Sequence, residues 1–153
     1  MGNKIVTENR KARHEYHIME TYEAGLALTG TEVKSLRLGR VSLQDSFARV
    51  ESAELILYNM HVSQYDQGNQ FNHEPKRKRK LLMHKREIIR LLGKSREKGL
   101  ALIPLKIYFK NGYAKVELAL AKGKKTYDRR EDVAARDAKR DMDRAMKERA
   151  KKY

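Results

Sequence analysis

The sequence predicts a mainly β fold. A small closed antiparallel barrel of about six strands, with two or three short helices, is expected over residues 1–121, and a flexible basic tail over residues 122–153. Three observations predict it. Short apolar runs recur between turn residues, among them Asn111-Gly112, the pair best suited to a two-residue hairpin because both turn positions need positive φ. No strand-like run alternates with a helix-length pattern, as a parallel sheet would require. Residues 122–153 hold 13 Lys or Arg against 7 Asp or Glu, with few large apolar groups, so they cannot bury a core of their own.

The elements follow in order. Asn9 to Glu15 is polar and helix-compatible, and Tyr16 to Tyr22 mixes aromatic and β-favouring residues as an early strand does. Gly25 punctuates that strand; Leu26-Ala27-Leu28 and Glu32 to Leu38 then read as two more strands, the second alternating Val33 against Lys34 and Leu36 against Arg37. Gly39 to Asp45 is a loop, and Ser46 to Glu51, a turn at Ser52-Ala53-Glu54, and Leu55 to Tyr58 make a hairpin. Ser63 to Pro75 is polar and aperiodic, which predicts a mobile loop. After the basic run Lys76 to Lys80, Leu81-Leu82-Met83 with Ile88, Leu91 and Leu92 place an apolar stripe on a short helix ending near Gly93, suited to capping a barrel end. Leu100 to Phe109 and Tyr113 to Ala121 flank the Asn111-Gly112 turn, and Pro104 implies an edge position or a bulge.

Composition narrows the function. A chain of 153 residues holds one modest core, and its formal charge of +15 favours a polyanion, nucleic acid before an anionic membrane. The absence of cysteine excludes disulfides and thiolate metal sites. No apolar run approaches the roughly 20 residues of a membrane span, the N-terminus lacks a signal-peptide pattern, and Val6 stands where a myristoylation motif needs Ser or Thr, so a soluble cytoplasmic chain is expected.

Catalytic and metal constellations are sparse. His14, His17, His61, His73 and His84 include no helical pair at ligand spacing, so a metal site is not expected and single histidines read as RNA-facing or surface donors. Gly123-Lys124-Lys125-Thr126 resembles the end of a phosphate-binding loop, but the glycine required five residues earlier is Leu118, which excludes nucleotide hydrolysis of that type. The run Lys76 to Lys80 reads either as a solvated loop or as a phosphate contact, and Tyr16, Tyr22, His14 and His84 are candidate stacking planes for unpaired bases. In the tail, Ala134, Ala138, Met142, Ala145 and Met146 make a thin helical stripe, and the pairs Asp143 with Lys147 and Glu148 with Lys152 add about 0.2–0.5 kcal/mol each. That is too little for an isolated helix, so the tail is expected to fold only on a phosphate-rich surface.

Five segments in fixed order go further: Asn9-Arg10-Lys11-Ala12-Arg13-His14-Glu15-Tyr16, Tyr22 to Leu28, Gly30 to Arg37, Arg79-Lys80-Leu81-Leu82, and Ala121-Lys122-Gly123-Lys124-Lys125. Together they resemble the SmpB (SsrA-binding protein) family over nearly the whole chain. The resemblance implies an oligonucleotide-binding (OB) type barrel that clamps the tRNA-like part of transfer-messenger RNA (tmRNA, or SsrA RNA) and enters stalled ribosomes in trans-translation. It implies a monomeric binding protein without cofactor or catalytic site, associated with the ribosome when engaged. On matching positions it assigns Asn9, Arg13, His14, Glu23, Leu82 and Lys115 to the tmRNA-facing surface, with Lys34 and Lys80 as nearby cations and His84, where relatives also carry Asn, as a contact.

By the same resemblance Gly123, Lys124, Lys125, Tyr127, Asp128, Arg129 and Arg130 form a tail motif that mimics codon and anticodon in the decoding centre and message channel. Arg and Lys suit phosphate contacts, while Glu23 offers an acceptor to base or sugar donors, or else an internal salt bridge that orients a lysine. A ribosomal RNA-binding or ribosome-assembly protein would show the same basic charge. An RNA-cleaving barrel would have only His14, Glu15 and His17 as acid and base.

Overall fold

The computed structural model describes residues 4–66, 72–97, 99–124, 139–142 and 144. The chain forms two compact units, residues 1–123 and 124–153. Among the described residues of the first, nine strands and three helices follow in the order β1 (Lys4–Glu8), α1 (Arg10–Glu15), β2 (Tyr16–Leu26), α2 (Gly30–Arg37), β3 (Val41–Ser42), β4 (Phe47–Glu51), β5 (Glu54–Tyr58), β6 (His61–Val62), β7 (Arg79–Leu82), α3 (Lys85–Ser95), β8 (Leu100–Lys110) and β9 (Tyr113–Gly123). In the second, residues 139–142 and 144 are helical.

Six strands close a ring, in the order β8-β4-β5-β7-β2-β9 and back to β8, all antiparallel, as the sequence predicts. β1 adds to the far half of β8, and β3 pairs with β6 in a separate two-stranded ribbon. The ring is held by long pairings of β9 with β8 and β2, and by two short joints: β4 meets β8 at Ala48 and Leu102 alone, and β7 meets β2 at two residues. The Asn111-Gly112 turn has both residues at positive φ (52° and 81°), as a primed turn requires. Ser52 and Ala53 adopt the same conformation (48° and 62°) without glycine. Pro104 sits at a register shift between β8 and β9, the bulge that its missing N–H implies.

The wall of the ring is buried on both sides where β8 and β9 pass under α1. Leu102, Ile107, Val116, Leu118 and Leu120 fill the interior with Leu55, Leu57 and Leu81. Ile103, Leu105, Ala119 and Ala121 face outward against Ala12 of α1. The alanines of β9 let the helix lie close, and Asn9 fastens it: its Oδ1 accepts from the Ala12 N–H (3.3 Å) while its Nδ2 donates to the carbonyls of Pro104 (3.1 Å) and Leu43 (3.4 Å).

Several expectations are corrected. Glu32 to Leu38 is not a strand: Glu32 to Arg37 lie in α2 and Leu38 is its C-cap; a capping box starts the helix, with Glu32 Oε1 accepting from the Thr29 N–H at 2.9 Å. Glu32, Ser35 and Leu36 share the buried face, the i, i+3, i+4 pattern of a helix. Gly25 does not end β2, which continues to Leu26, whereas Ala27 and Leu28 form no strand. Leu81 and Leu82 belong to β7 rather than to the helix, and Gly93 lies inside α3. Strand β9 runs to Gly123, two residues into the segment assigned to the tail. His73 is buried rather than exposed, its ring nitrogens bonded to Thr31 Oγ1 and the Val62 carbonyl, both at 2.9 Å.

The basic run also divides. Arg79 is fully buried; its Nε donates to Glu32 Oε2 (2.5 Å), its Nη1 to the carbonyls of Met60 (2.6 Å) and Arg77 (3.0 Å), and its Nη2 to that of Pro75 (3.0 Å). Arg77 grips the same carboxylate, its Nε lying 3.1 Å from both oxygens. Burial opposes ionisation of Glu32, but donation from Arg77 and the Thr29 N–H, with the charge of Arg79, overrides it and holds the carboxyl below its ordinary value. Of the loop expected to be mobile, residues 67–71 lie outside the described set; its base is tied by a pair of bonds between the Tyr65 backbone and the Asn72 amide (2.9 and 2.5 Å).

Candidate RNA interface

Helix α1 covers only half of the β8–β9 wall, and the uncovered half carries the polar chemistry. Register places Tyr108 beside Lys115, Lys115 beside Gly25, and Gly25 beside Leu82, one row across four strands; Lys106, Glu117 and Glu23 form the next. These residues point outward because their neighbours Ile107, Val116 and Ala24 point into the core. The structure thus brings together Glu23, Leu82 and Lys115 from three strands far apart in sequence. Lys80 lies on β7 two residues from Leu82, where it pairs with Glu54 at 3.4 Å.

Glu23 sits over a hollow of about 310 Å³ lined by Ile5, Thr21, Tyr22, Lys106, Tyr108 and Glu117. The Tyr108 hydroxyl donates to its Oε2 at 2.5 Å, and Lys110 Nζ lies 3.5 Å from both oxygens. The Tyr108 bond, aided by the charge of Lys110, lowers the Glu23 pKa below its ordinary value, so an ionised acceptor stands on the surface at neutral pH. Burial and the same bond raise the Tyr108 pKa and keep it a donor. Gly25 has a steric reason: a Cβ there would meet Leu82 Cβ at 3.2 Å, so the bare backbone lets Leu82 lie across the row, half exposed at 51%.

The remaining candidates lie elsewhere. Arg13 and His14 are exposed on α1, on the other half of the wall, and both polar ends of the Asn9 side chain serve the fold. Lys34 is on α2, its Nζ 5.3 Å from the Tyr65 ring centroid. His84 is the exposed N-cap residue of α3. Gly123 is exposed at the end of β9 and Lys124 follows it; Lys125, Tyr127, Asp128, Arg129 and Arg130 lie outside the described residues. Among the described residues no cluster of acidic and histidine side chains could hold a metal ion, and no helix is long and apolar enough to cross a membrane.

Sequence reasoning missed Tyr108, Lys106 and Lys110, which hold or flank Glu23. Tyr108 is 85 positions away, and only the pairing of Asn111-Gly112 with the β2–β9 register could have brought it near. It also missed the stacked rings of Phe47 and Tyr58 (5.2 Å between centroids), with the Arg49 guanidinium 5.4 and 5.6 Å from their centres.

Residues 6–148 match the family described as SmpB protein. The chain belongs to the SmpB family. It is 78% identical to the SsrA-binding protein of Pelotomaculum thermopropionicum, covering 97% of both chains. It is 72% identical to that of Desulforamulus reducens (98% of this chain, 94% of the relative) and 60% identical to that of Geobacillus kaustophilus (97% and 96%). Among solved structures, a chain described under "tmRNA-SmpB: a journey to the center of the bacterial ribosome" superposes with a TM-score of 0.67 at 61% identity, covering 78% of this chain and 85% of that one.

Proposed function

We propose that this SmpB chain binds the tRNA-like domain of tmRNA through the barrel wall centred on Glu23 and delivers it to stalled ribosomes. There the tail, with Gly123, Lys124, Lys125, Tyr127, Asp128, Arg129 and Arg130, stands in for codon–anticodon pairing and lets tagging of the nascent chain resume. The single observation that supports the wall is the Glu23 carboxylate, ionised and half exposed amid Lys106, Lys110 and Lys115. An acceptor ringed by donors can read a base or sugar group while the lysines hold phosphate, which a purely cationic patch cannot do. Lys80, Leu82 and His84 extend that surface, Arg13 and His14 add contacts on α1 beside Asn9, and Lys34 is an outlying cation. The chain acts as a cytoplasmic monomer that joins the ribosome only when engaged, and its work is binding without catalysis.

The test is a gel-shift competition at physiological salt, with labelled tmRNA against excess bulk tRNA and ribosomal RNA fragments. Binding should resist competition and weaken roughly 10- to 100-fold in Glu23→Ala, the range set by losing one or two charge-assisted hydrogen bonds. A chain ending at Lys124 should keep its preference for tmRNA over the competitor RNAs and lose tagging, because the arm adds counterion release without shape recognition. Equal competition by every RNA refutes the reading and favours a ribosomal RNA-binding protein.

A further inference from the structure

The outer face of α3 has no part in the wall around Glu23. The helix buries Ile88 and Leu91, which leaves Lys85, Arg86, Ile89, Arg90 and Gly93 exposed along one stripe, with Arg96 beyond them at the C-cap. Several cations near the wall are already engaged: Lys80 with Glu54, Lys94 with Glu20, Lys106 with Glu117, Lys110 with Glu23. The four on this stripe form no ion pair among the described residues. The acidic groups close to it are Glu97, exposed next to Arg96, Glu87, half-buried in the first turn, and Glu20, whose charge is felt with that of Arg90.

Gly93 is a second, independent observation. Glycine inside an exposed helix destabilises it relative to alanine, and an internal reason would be a neighbour too close to admit a side chain. Among the described residues no atom outside its own helix backbone and chain neighbours lies within 4 Å of where its Cβ would stand. The residue weakens the helix without relieving any contact in the free protein, which points to a partner that approaches the backbone there.

The stripe is continuous with the wall. α3 begins three residues after Leu82, which pairs with Gly25, and its last turn is tied to β2 by Lys94, whose Nζ lies 2.6 Å from Glu20 Oε2. From Gly25 to Glu20 an extended strand covers about 17 Å, and from Lys85 to Lys94 a helix covers about 14 Å. The helix therefore begins beside the Leu82 end of the wall and is anchored to β2 at its last turn, while its body packs on β8 and β4.

We propose that the exposed face of α3 is a second strip of the RNA interface, where Lys85, Arg86, Arg90 and Arg96 hold phosphates of the tmRNA seated on the Glu23 wall and Gly93 lets its backbone pass against the helix. The proposal rests on the reading of the wall given above. Arg86 and Arg90 are one turn apart, with a rise of about 6 Å, so each can neutralise a separate phosphate.

Two variants of the full chain test it by tmRNA titration across salt, alongside thermal melts. Gly93→Ala should raise Tm by roughly 2–5 °C, because the methyl meets nothing and the helix gains propensity, yet weaken tmRNA binding about 3- to 10-fold. A glycine without a role predicts the first change and not the second. Arg86→Gln with Arg90→Gln should leave Tm within about 2 °C, weaken binding about tenfold or more near 150 mM salt, and reduce the slope of log K against log salt by about 1.4–1.8. Wild-type tmRNA affinity in both variants overturns the proposal, and a loss confined to ribosome binding overturns it in favour of ribosomal RNA. A wild-type chain with no preference for tmRNA brings down the wall and the strip together; a wild-type chain that prefers tmRNA, with tmRNA affinity undiminished in both α3 variants, brings down the strip alone.

Discussion

Replacing Arg79 with Met deletes a fully buried guanidinium and leaves its partners in place. Glu32, also fully buried, keeps Arg77 but loses the bond to Arg79 Nε, and the carbonyls of Met60 and Pro75 lose donors at 2.6 and 3.0 Å. Breaking a buried ion pair from one side costs about 3–5 kcal/mol. Retention of Arg77 argues for the lower end of that range, and the Met60 carbonyl, left without its donor, adds about 1 kcal/mol, while that of Pro75 keeps the Val62 N–H at 2.9 Å. A net loss near 4 kcal/mol is a large part of the roughly 5–15 kcal/mol that a domain possesses. Urea titration at pH 7 should show it, with Tm falling by about 10–20 °C. Lys80→Met, the next residue of the same basic run, should cost under about 0.5 kcal/mol, since it removes only an exposed pair with Glu54. Adding Glu32→Gln to Arg79→Met should cost less than the two changes separately, because the carboxylate is no longer stranded. A loss below about 1 kcal/mol in Arg79→Met would refute the reasoning.

Two further predictions follow from the same chemistry. The Glu32 carboxyl is held below its ordinary value of 4.5, so its stabilisation is complete above that pH and is lost as pH falls through the lowered folded value; acid titration of wild type should show this loss, and Glu32→Gln, weaker at pH 7, should show less pH dependence below 4.5. Asn9→Ala should lose about 2–3 kcal/mol, cap and tethers together, whereas Asn9→Asp keeps the cap acceptor and loses only the bonds to Pro104 and Leu43; equal melts for the two would show that the tethers contribute everything.

What the sequence revealed of the fold was mostly local. The hairpin at Asn111-Gly112 and the bulge at Pro104 follow from conformational demands that single residues announce, whereas the turn at Ser52-Ala53 shows only as a break between two apolar runs. Helix α2 was misread because Val33, Lys34, Leu36 and Arg37 alternate well enough for a strand, while the deciding residue, Glu32, is a charge pointing inward, opposite to what polarity suggests. Its burial depends on Arg77 and Arg79, 45 and 47 positions away, which no local window contains. Glu23, Leu82 and Lys115 could be nominated from the SmpB resemblance, but their shared row rests on strand register, and the anchor Tyr108 depends on it too.

The two short joints of the ring give the barrel a hinge-like anatomy. The β2-β9-β8 sheet and the β4-β5-β7 meander are each well laced, yet they meet through one residue pair on one side and two on the other. In amide exchange, the long lacing should open only with global unfolding, and the seams should open first. One seam, Gly25 against Leu82, lies within the proposed RNA surface, so a bound RNA would span both halves like a suture and slow exchange at Ala27, whose N–H donates across that seam to Lys80. The cargo would then complete the closure of the barrel that carries it.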